Sequence, residues 1–365
     1  MYLIAIRHAL HQLPEIAFEE HQTKAAILAQ LKDVDDVVVH EFLSSPGILV
    51  EYTVCEGDYR LFRADMDALP ITENTACEYQ SVHQGMMHAC GHDVHMTVLL
   101  GLIDHIAKTK PKRNLLFLFQ PAEEGKGGAE SVLAEGLIQQ FPVSEVFALH
   151  VGSGLPVGSV SSREGIFFGI PQEFDVRFLG KSAHVAYPEM GVNALQAGVD
   201  LINAMKHDIE QLSQTERVIF HIGKMAAGNI RNVIADKCIL EGTHRSLRNS
   251  VCHHINDLIL KNCDAVAEAN KAEYEVDFLC SYDPVINDRK LTQELGRLCA
   301  ENGIEYIEAE TAMTGEDFGF FTSRYPGLLF WLGGGCDDAL HSDKFLPLDA
   351  CVDIGVLIFA ALATR

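Results

Sequence analysis

The chain of 365 residues carries 28 basic against 51 acidic side chains, is 48% hydrophobic and 22% charged, and has a formal net charge of −23. That charge repels a nucleic-acid backbone and an anionic membrane surface, so neither is expected as a partner and small molecules remain. The length exceeds what a single core usually organises and no low-complexity tract interrupts it, so two domains, or one interrupted by another, are expected.

The opening "MYLIAIRHALHQLPE" meets Arg7 and His8 too early for a secretion signal and reads as a short helix of a cytoplasmic protein. No segment approaches the ~20 apolar residues that span a bilayer. The apolar runs "YRLFRAD" (59–65), "NLLFLFQP" (114–121) and "EVFALHV" (145–151) read as buried strands of a parallel or mixed sheet. Between the first two, "MTVLLGLIDHIAKTK" sets Val98, Leu99, Leu102, Ile103 and Ile106 on one helical stripe ahead of Pro111. Strand, helix, strand implies an α/β layered domain. After about residue 165 the pattern changes: "QEFDVRFLG" alternates as a strand and "NALQAGVDLINAMKHDIEQL" is an amphipathic helix. Strands "RVIFHIGKM" and "ADKCILEGTHRSL", helix "VCHHINDLILKNCDAVAEAN" and strand "AEYEVDFLCSY" follow. This βαββαβ order is that of a small self-contained ferredoxin-like sandwich. Helix "LTQELGRLCAENG" and strand "GLLFWLGGG" then resume the α/β style, so residues 1–168 and 284–365 are expected to form one domain and 169–283 an insertion in it. The ten cysteines include no CxxC pair and read as reduced thiols.

Polar residues able to carry chemistry fall at the ends of the predicted strands, where open α/β sheets bind ligands. Asp65 and Asp67 follow the first, Glu123 and Glu124 the second, His150 belongs to the third, and His341 lies in a loop after "GLLFWLGGG". The stretch "HACGHDVHMTVLLG" (88–101) adds Cys90 and His92, whose spacing lets them converge only from a loop or a helix's first turn. Singly, each has a plainer explanation: a core histidine, a packed thiol, acids at a helix start, aspartates in a turn. Jointly, they are what a cluster of divalent cations with N, O and S ligands requires. The chain contains no GxSxG that would supply a serine nucleophile.

"MHACGHDVH", "FLFQPAEEGKGGA", "ALHVGSGLPVGSV", "MTGEDFG" and "LHSDKF" together resemble the motif series of the metal-dependent aminoacylase and amidohydrolase family, which includes hippurate hydrolases, auxin-conjugate hydrolases and N-acetyldiaminopimelate deacetylases. The resemblance covers almost the whole chain. It implies a mixed-sheet catalytic domain with a dinuclear metal site, an inserted ferredoxin-like lid and dimerisation domain, and a homodimer. Cys90 would bridge two divalent ions as thiolate, with His92, Glu124, His150 and His341 completing the ligands; the ligand chemistry suits zinc, cobalt, nickel or manganese. Glu123 would be the general base, and Asp67 the carboxylate that orients a ligand imidazole. Asp65 is a lesser candidate for such support, Asp93 an N-cap or supporting group, and His88 and His95 would hold the loop. In the insertion, His184, Asn232 and Arg245 match family positions that bind a substrate carboxylate or stabilise the oxyanion, a planar guanidinium suiting the carboxylate. Ser182 and Ala183 ahead of His184 depart from the commoner "GxGGHAAxP" of the family.

The implied reaction is hydrolysis of the amide of an N-acyl amino acid. The strings "FLFQPAEEG", "AMTGEDFG" and "FWLG" resemble the N-acetyldiaminopimelate deacetylases most, which implies release of acetate and diaminopimelate in lysine biosynthesis. The alternatives are a broader amidohydrolase of the hippurate hydrolase kind and a non-catalytic binding protein of the same fold. The latter should have lost Glu123 or a ligand, and all are present; a dipeptidase should show an HxD motif where this chain has "RADMD".

Overall fold

The computed structural model describes residues Tyr2 to Arg365 and divides into two compact units. The first runs to Phe167 and resumes with Val285–Thr311 and Glu316–Arg365; the second comprises Phe168–Pro284 and Ala312–Gly315. In chain order the first unit begins with α1 (Tyr2–His11), α2 (His21–Leu31), β1 (Val38–Glu41), β2 (Ile48–Tyr52), β3 (Tyr59–Asp65), α3 (His92–Thr109) and β4 (Asn114–Gln120). There follow a kinked turn α4 (Glu123–Lys126), α5 (Gly128–Ala134), β5 (Val143–Gly152), β6 (Ser159–Ser162) and β7 (Gly165–Phe168). The second unit holds β8 (Ile170–Leu179), α6 (Ala194–Leu212), β9 (Ile219–Ala227), β10 (Lys237–Ser246), α7 (Asn249–Asn270) and β11 (Glu273–Ser281). The first then resumes with β12 (Val285–Asn287), α8 (Arg289–Glu301), β13 (Glu305–Glu308), α9 (Gly319–Thr322), β14 (Gly327–Gly333) and α10 (Ala350–Thr364).

Among the described residues the first unit's sheet has ten strands, in the order β1-β2-β4-β3-β5-β14-β12-β7, with β6 joining β14 to β13. Its centre, β4, β3, β5 and β14, is parallel, and β2 and β1 add antiparallel at one edge. Parallel strands covered on both faces read as unbroken apolar runs, which is why these four are the strands that the sequence announces. Phe62 of β3 stacks on Phe147 of β5 at 4.9 Å and meets Phe359 of α10 edge-on at 5.1 Å, so three elements share one aromatic contact. The stripe Val98, Leu99, Leu102, Ile103 and Ile106 of α3 is wholly buried in the same core.

Helix α3 begins at His92, inside the polar stretch rather than after it. Gly91 is left-handed (φ 83°) and interrupts the chain just before it. Asp93 is therefore no N-cap: its Oδ2 accepts from Arg7 Nε at 3.2 Å and from His11 Nδ1 at 3.0 Å, tying α1 to the start of α3. The helix ends on left-handed Lys110, immediately ahead of Pro111.

The second unit is an antiparallel sheet, β11-β8-β10-β9, with α6 and α7 joined to it through Phe174, Val176, Phe178, Leu201, Ile255 and Ile259. The alternating burial of β8 shows one face packed and the other open, as the period of two demands. Gly198 lets α6 approach closely, since a Cβ there would lie 2.4 Å from Cys238 Sγ. The order βαββαβ is the ferredoxin-like arrangement expected, interrupting a mixed α/β unit. No helix among the described residues is long and apolar enough to cross a membrane.

Replacing Phe62 by alanine should cost about 3–5 kcal/mol in urea denaturation, because the cavity would open where three elements meet. A loss below about 1 kcal/mol would show that this aromatic contact does not organise the core.

Candidate metal centre

The ends of β3, β4 and β5 deliver their polar residues to one place. His150, near the end of β5, turns Nδ1 to the carbonyl of Val151 at 3.0 Å, so Nδ1 carries the proton and Nε2, 3.4 Å from Cys90 Sγ, presents its lone pair. His92 donates Nδ1–H to the backbone carbonyl of Asp67 at 2.8 Å, and its buried Nε2 has no hydrogen-bond partner. Both rings thus have the tautomer of a metal ligand. His341 Nε2 lies 3.2 Å from Glu124 Oε1. Donor atoms of Cys90, His92 and His150 all lie within 4.8 Å of one another, as do those of Cys90, Glu124 and His341, so Cys90 belongs to both trios.

The local backbone explains the motifs. Left-handed Gly91 reverses the chain between Cys90 and His92, which allows side chains two apart to point at one another. Ala122 is also left-handed (φ 58°), with its N–H held by Glu20 Oε1 at 2.8 Å, and it turns Glu123 and Glu124 away from the strand direction. Gly128 completes that elbow: a Cβ there would lie 1.7 Å from the carbonyl oxygen of Pro121. His341 is held left-handed (φ 66°), its N–H bonded to the carbonyl of Ala89 at 2.9 Å. Positive φ at non-glycine residues costs on the order of 1–3 kcal/mol and concentrates at functional sites.

Asp67 acts through two different groups. Its carbonyl fixes His92, while its carboxylate Oδ2 accepts the N–H of Glu124 at 2.9 Å and Oδ1 stands 3.3 Å from His92 Nδ1. The hydrogen bond that orients the ring is therefore made by the backbone. His95 is occupied at both nitrogens, donating to Asp65 at 2.5 Å and accepting the N–H of Val151 at 2.9 Å. His88 is equally buried, but neither ring nitrogen has a hydrogen-bond partner, so it contributes packing.

Four residues passed over in the sequence lie beneath these groups: Arg63, Gln120, Glu316 and Asp317. Arg63, buried, donates to Asp65 at 2.6 Å, Asp317 at 2.7 Å and Gln120 at 2.9 Å, and lies 3.2 Å from Glu316. Asp317 also accepts from Gln120 Nε2 and from the N–H of Ala129, each at 2.8 Å, and its own N–H points to Glu123 Oε1 at 3.4 Å. The available signal was an arginine in the middle of an apolar strand, since a charge is fully buried only when paired.

The electrostatics follow from this crowding. Burial opposes ionisation of Asp65, yet His92, His95 and Arg63 together hold its carboxyl well below the usual range. Glu123 goes the other way, raised well above it by burial and then by Glu316, Glu124 and Asp317. Burial, then Glu124 and Glu123, push the Cys90 thiol up. Asp65, Glu123, Glu316 and Asp317 act on the guanidinium of Arg63, and the crowding of acids that raises Glu123, Glu316 and Asp317 is what divalent cations would relieve. Bound cations of that kind deprotonate a coordinating thiol outright. The mixed N, O and S donors fit them as well.

The substrate-binding candidates belong to the second unit. His184 and Asn232 are exposed neighbours, linked by the bridge His184 to Val233 and by the N–H of Val185 on the carbonyl of Asn232 at 3.2 Å. Arg245 is on β10 opposite Ile219, half-buried, and its guanidinium makes no hydrogen bond or ion pair among the described residues. Burial lowers its pKa, with Glu173 opposing.

Residues 61–365 match the model of peptidase family M20/M25/M40. The chain belongs to that family. N-acetyldiaminopimelate deacetylases of Shouchella clausii and Bacillus subtilis are 36% and 35% identical to it, each over 97% of this chain and 95% and 96% of their own. Among solved structures, the YXEP protein of Bacillus subtilis, a dinuclear metal binding peptidase from the M20 family, is 27% identical with a TM-score of 0.86, covering 100% of this chain and 97% of that one. The M20 match begins inside β3 and takes in Arg63 and the donors above it.

Arg63→Met should destabilise the protein by about 3–5 kcal/mol in urea, because Asp65, Glu316 and Asp317 would be left buried without their cation. Wild-type stability in this variant would mean that the carboxylates are compensated by other groups.

Proposed function

We propose that this M20 protein is a metal-dependent amidohydrolase that removes the acetyl group from N-acetyldiaminopimelate, releasing acetate and diaminopimelate in lysine biosynthesis. The observation that carries the chemistry is that two donor trios share Cys90 beside the buried Glu123. Two divalent cations, held by Cys90, His92, Glu124, His150 and His341, would polarise the amide carbonyl and acidify the attacking water. Zinc is the first choice for this donor set, with cobalt, nickel and manganese as alternatives.

The remaining steps belong to the chain's own residues. Glu123 takes the proton of the attacking water and passes it to the departing amine, so that the amine leaves neutral. Asp67 sets the orientation of His92 by its carbonyl and of Glu124 by its carboxylate. Arg245 pairs with a substrate carboxylate, and His184 and Asn232 stabilise the oxyanion. The unpaired, half-buried guanidinium supports that assignment, since a molecule of net charge −23 needs a local cation to attract an anionic substrate. The substrate class follows from the deacetylases that this chain is similar to over nearly its full length. The family resemblance further implies a cytoplasmic homodimer with the inserted unit as lid and interface.

Acetate release from N-acetyldiaminopimelate by metal-loaded protein should exceed turnover of hippurate or N-acetylleucine and should stop on chelation. Faster hippurate turnover would transfer the protein to the broader amidohydrolases, and no turnover of any of them with metal bound would leave a binding protein. Glu123→Gln should lower turnover by a factor of ~10²–10⁴ or more while elemental analysis finds the metal retained. Loss of metal in that variant would make Glu123 a ligand instead of the base.

A further inference from the structure

A second group of metal-type donors lies where α1 meets the connection between β3 and α3. That connection, residues 66–91, contains no helix or strand of its own; the bridge Leu69 to Met87 closes it on itself, and the bridge Ile16 to Ala68 and the N–H of Val82 on the carbonyl of Gln12 at 3.0 Å tie it to the chain after α1. So long a segment without secondary structure inside a compact unit is uncommon and usually functional. Its far end carries Cys90 and leads into His92, so its placement matters to the centre above.

His11 of α1 is buried, with Nε2 3.1 Å from Glu73 Oε1. Cys77 Sγ is 3.7 Å from the same oxygen, and the donor atoms of all three residues lie within 4.8 Å of one another. Zinc bonded to nitrogen, oxygen and sulfur at ~2.0–2.3 Å in a tetrahedron spaces its ligands by ~3.3–3.7 Å; the Glu73–Cys77 separation of 3.7 Å lies at the upper end of that range and the His11–Glu73 separation of 3.1 Å just below its lower end. The other nitrogen of His11 faces Asp93 Oδ2 at 3.0 Å, and Asp93 is anchored by Arg7. A carboxylate behind the ring is the support that a ligating histidine ordinarily has. Glu73 is held in place as well: Oε2 accepts the N–H of Ser81 at 2.7 Å, while Oε1, turned to His11 and Cys77, accepts the Thr75 hydroxyl at 2.5 Å.

We propose that His11, Glu73 and Cys77 bind a zinc-class divalent ion, with water as the fourth ligand, and that this ion pins the 66–91 connection to α1. Binding removes the thiol proton of Cys77 and any proton on His11 Nε2, both released to solvent, and forms no covalent bond between residues. An imidazolium between two carboxylates would explain His11 and Glu73 without an ion, and Cys77 then serves as donor to Glu73 and acceptor from Thr75; ion binding exchanges those two weak sulfur contacts, at 3.7 and 3.4 Å, for a metal bond. The proposal does not depend on the amidohydrolase reading, because these residues are separate from the five ligands and from Glu123.

The test uses the full chain with Cys90→Ser, which removes the thiolate of the catalytic centre, loaded with cobalt(II). This variant should retain near-ultraviolet thiolate-to-cobalt absorption, and Cys90→Ser/Cys77→Ser should lose it together with one cobalt per chain. Should the double variant fail to fold, Cys90→Ser/Glu73→Gln, with the thiol intact, should likewise lose one cobalt. On the wild-type background, Cys77→Ser should bind one zinc fewer per chain. Equal cobalt content and absorption in the Cys90→Ser variants with and without Cys77, or no thiolate absorption in Cys90→Ser itself, overturns the proposal.

Discussion

The guanidinium of Arg63 is the charge around which the first unit closes. It joins β3 to Gln120 at the end of β4 and to the Glu316–Asp317 loop, three segments distant in the chain. A buried cation is tolerable only with its partners in place, and buried carboxylates only with theirs, so each segment is placed correctly or the whole arrangement loses stability. Arg63 still leaves the acids around it in excess. Divalent cations that bind the folded form would supply the missing charge and stabilise that form by mass action, which makes folding and metal loading aspects of one equilibrium.

Above that charge, geometry is set by the backbone more than by side-chain reach. The parallel strands bring their carboxyl ends to a common edge, and left-handed turns at Gly91, Ala122 and His341 then aim residues that a regular strand or helix would point elsewhere. Strain at Ala122 persists because its N–H is held by Glu20 and Gly128 leaves room for the turn. The repeated glycines of "EEGKGGA" are thus the physical condition for two adjacent glutamates to have different tasks, one buried beside Asp317 and the other turned toward His341.

Much of this was legible in the sequence, for reasons that can be named. β3, β4, β5 and β14 are buried on both faces and show as apolar runs, and the inserted unit shows its alternation and its amphipathic helices. The short strands β1, β2, β6, β7, β12 and β13 were not read, because three to five residues carry too little periodicity. The start of α3 was misplaced because its polar first turn faces α1 instead of solvent, so Asp93 resembled a cap while serving as a partner of Arg7 and His11. The clustering of Cys90, His92, Glu123, Glu124, His150 and His341 could be anticipated from strand ends and family resemblance together. The part played by the Asp67 carbonyl could not, since every residue has one, and Arg63 was hidden in a strand whose other residues explained it well enough.

The position of β14 has a consequence for how such a chain is made. It lies between β5 and β12, in the middle of the larger sheet, yet it is encoded after the whole inserted unit. During synthesis β5 can pair with β3 early, but its other edge must wait until residues 327–333 have emerged. Over that interval an apolar strand edge is open while the insertion, which has a sheet of its own, can complete that sheet. Nascent chains whose emerged part ends between residues 316 and 326 should therefore be the species most dependent on chaperones, with a finished small unit attached to an unfinished large one.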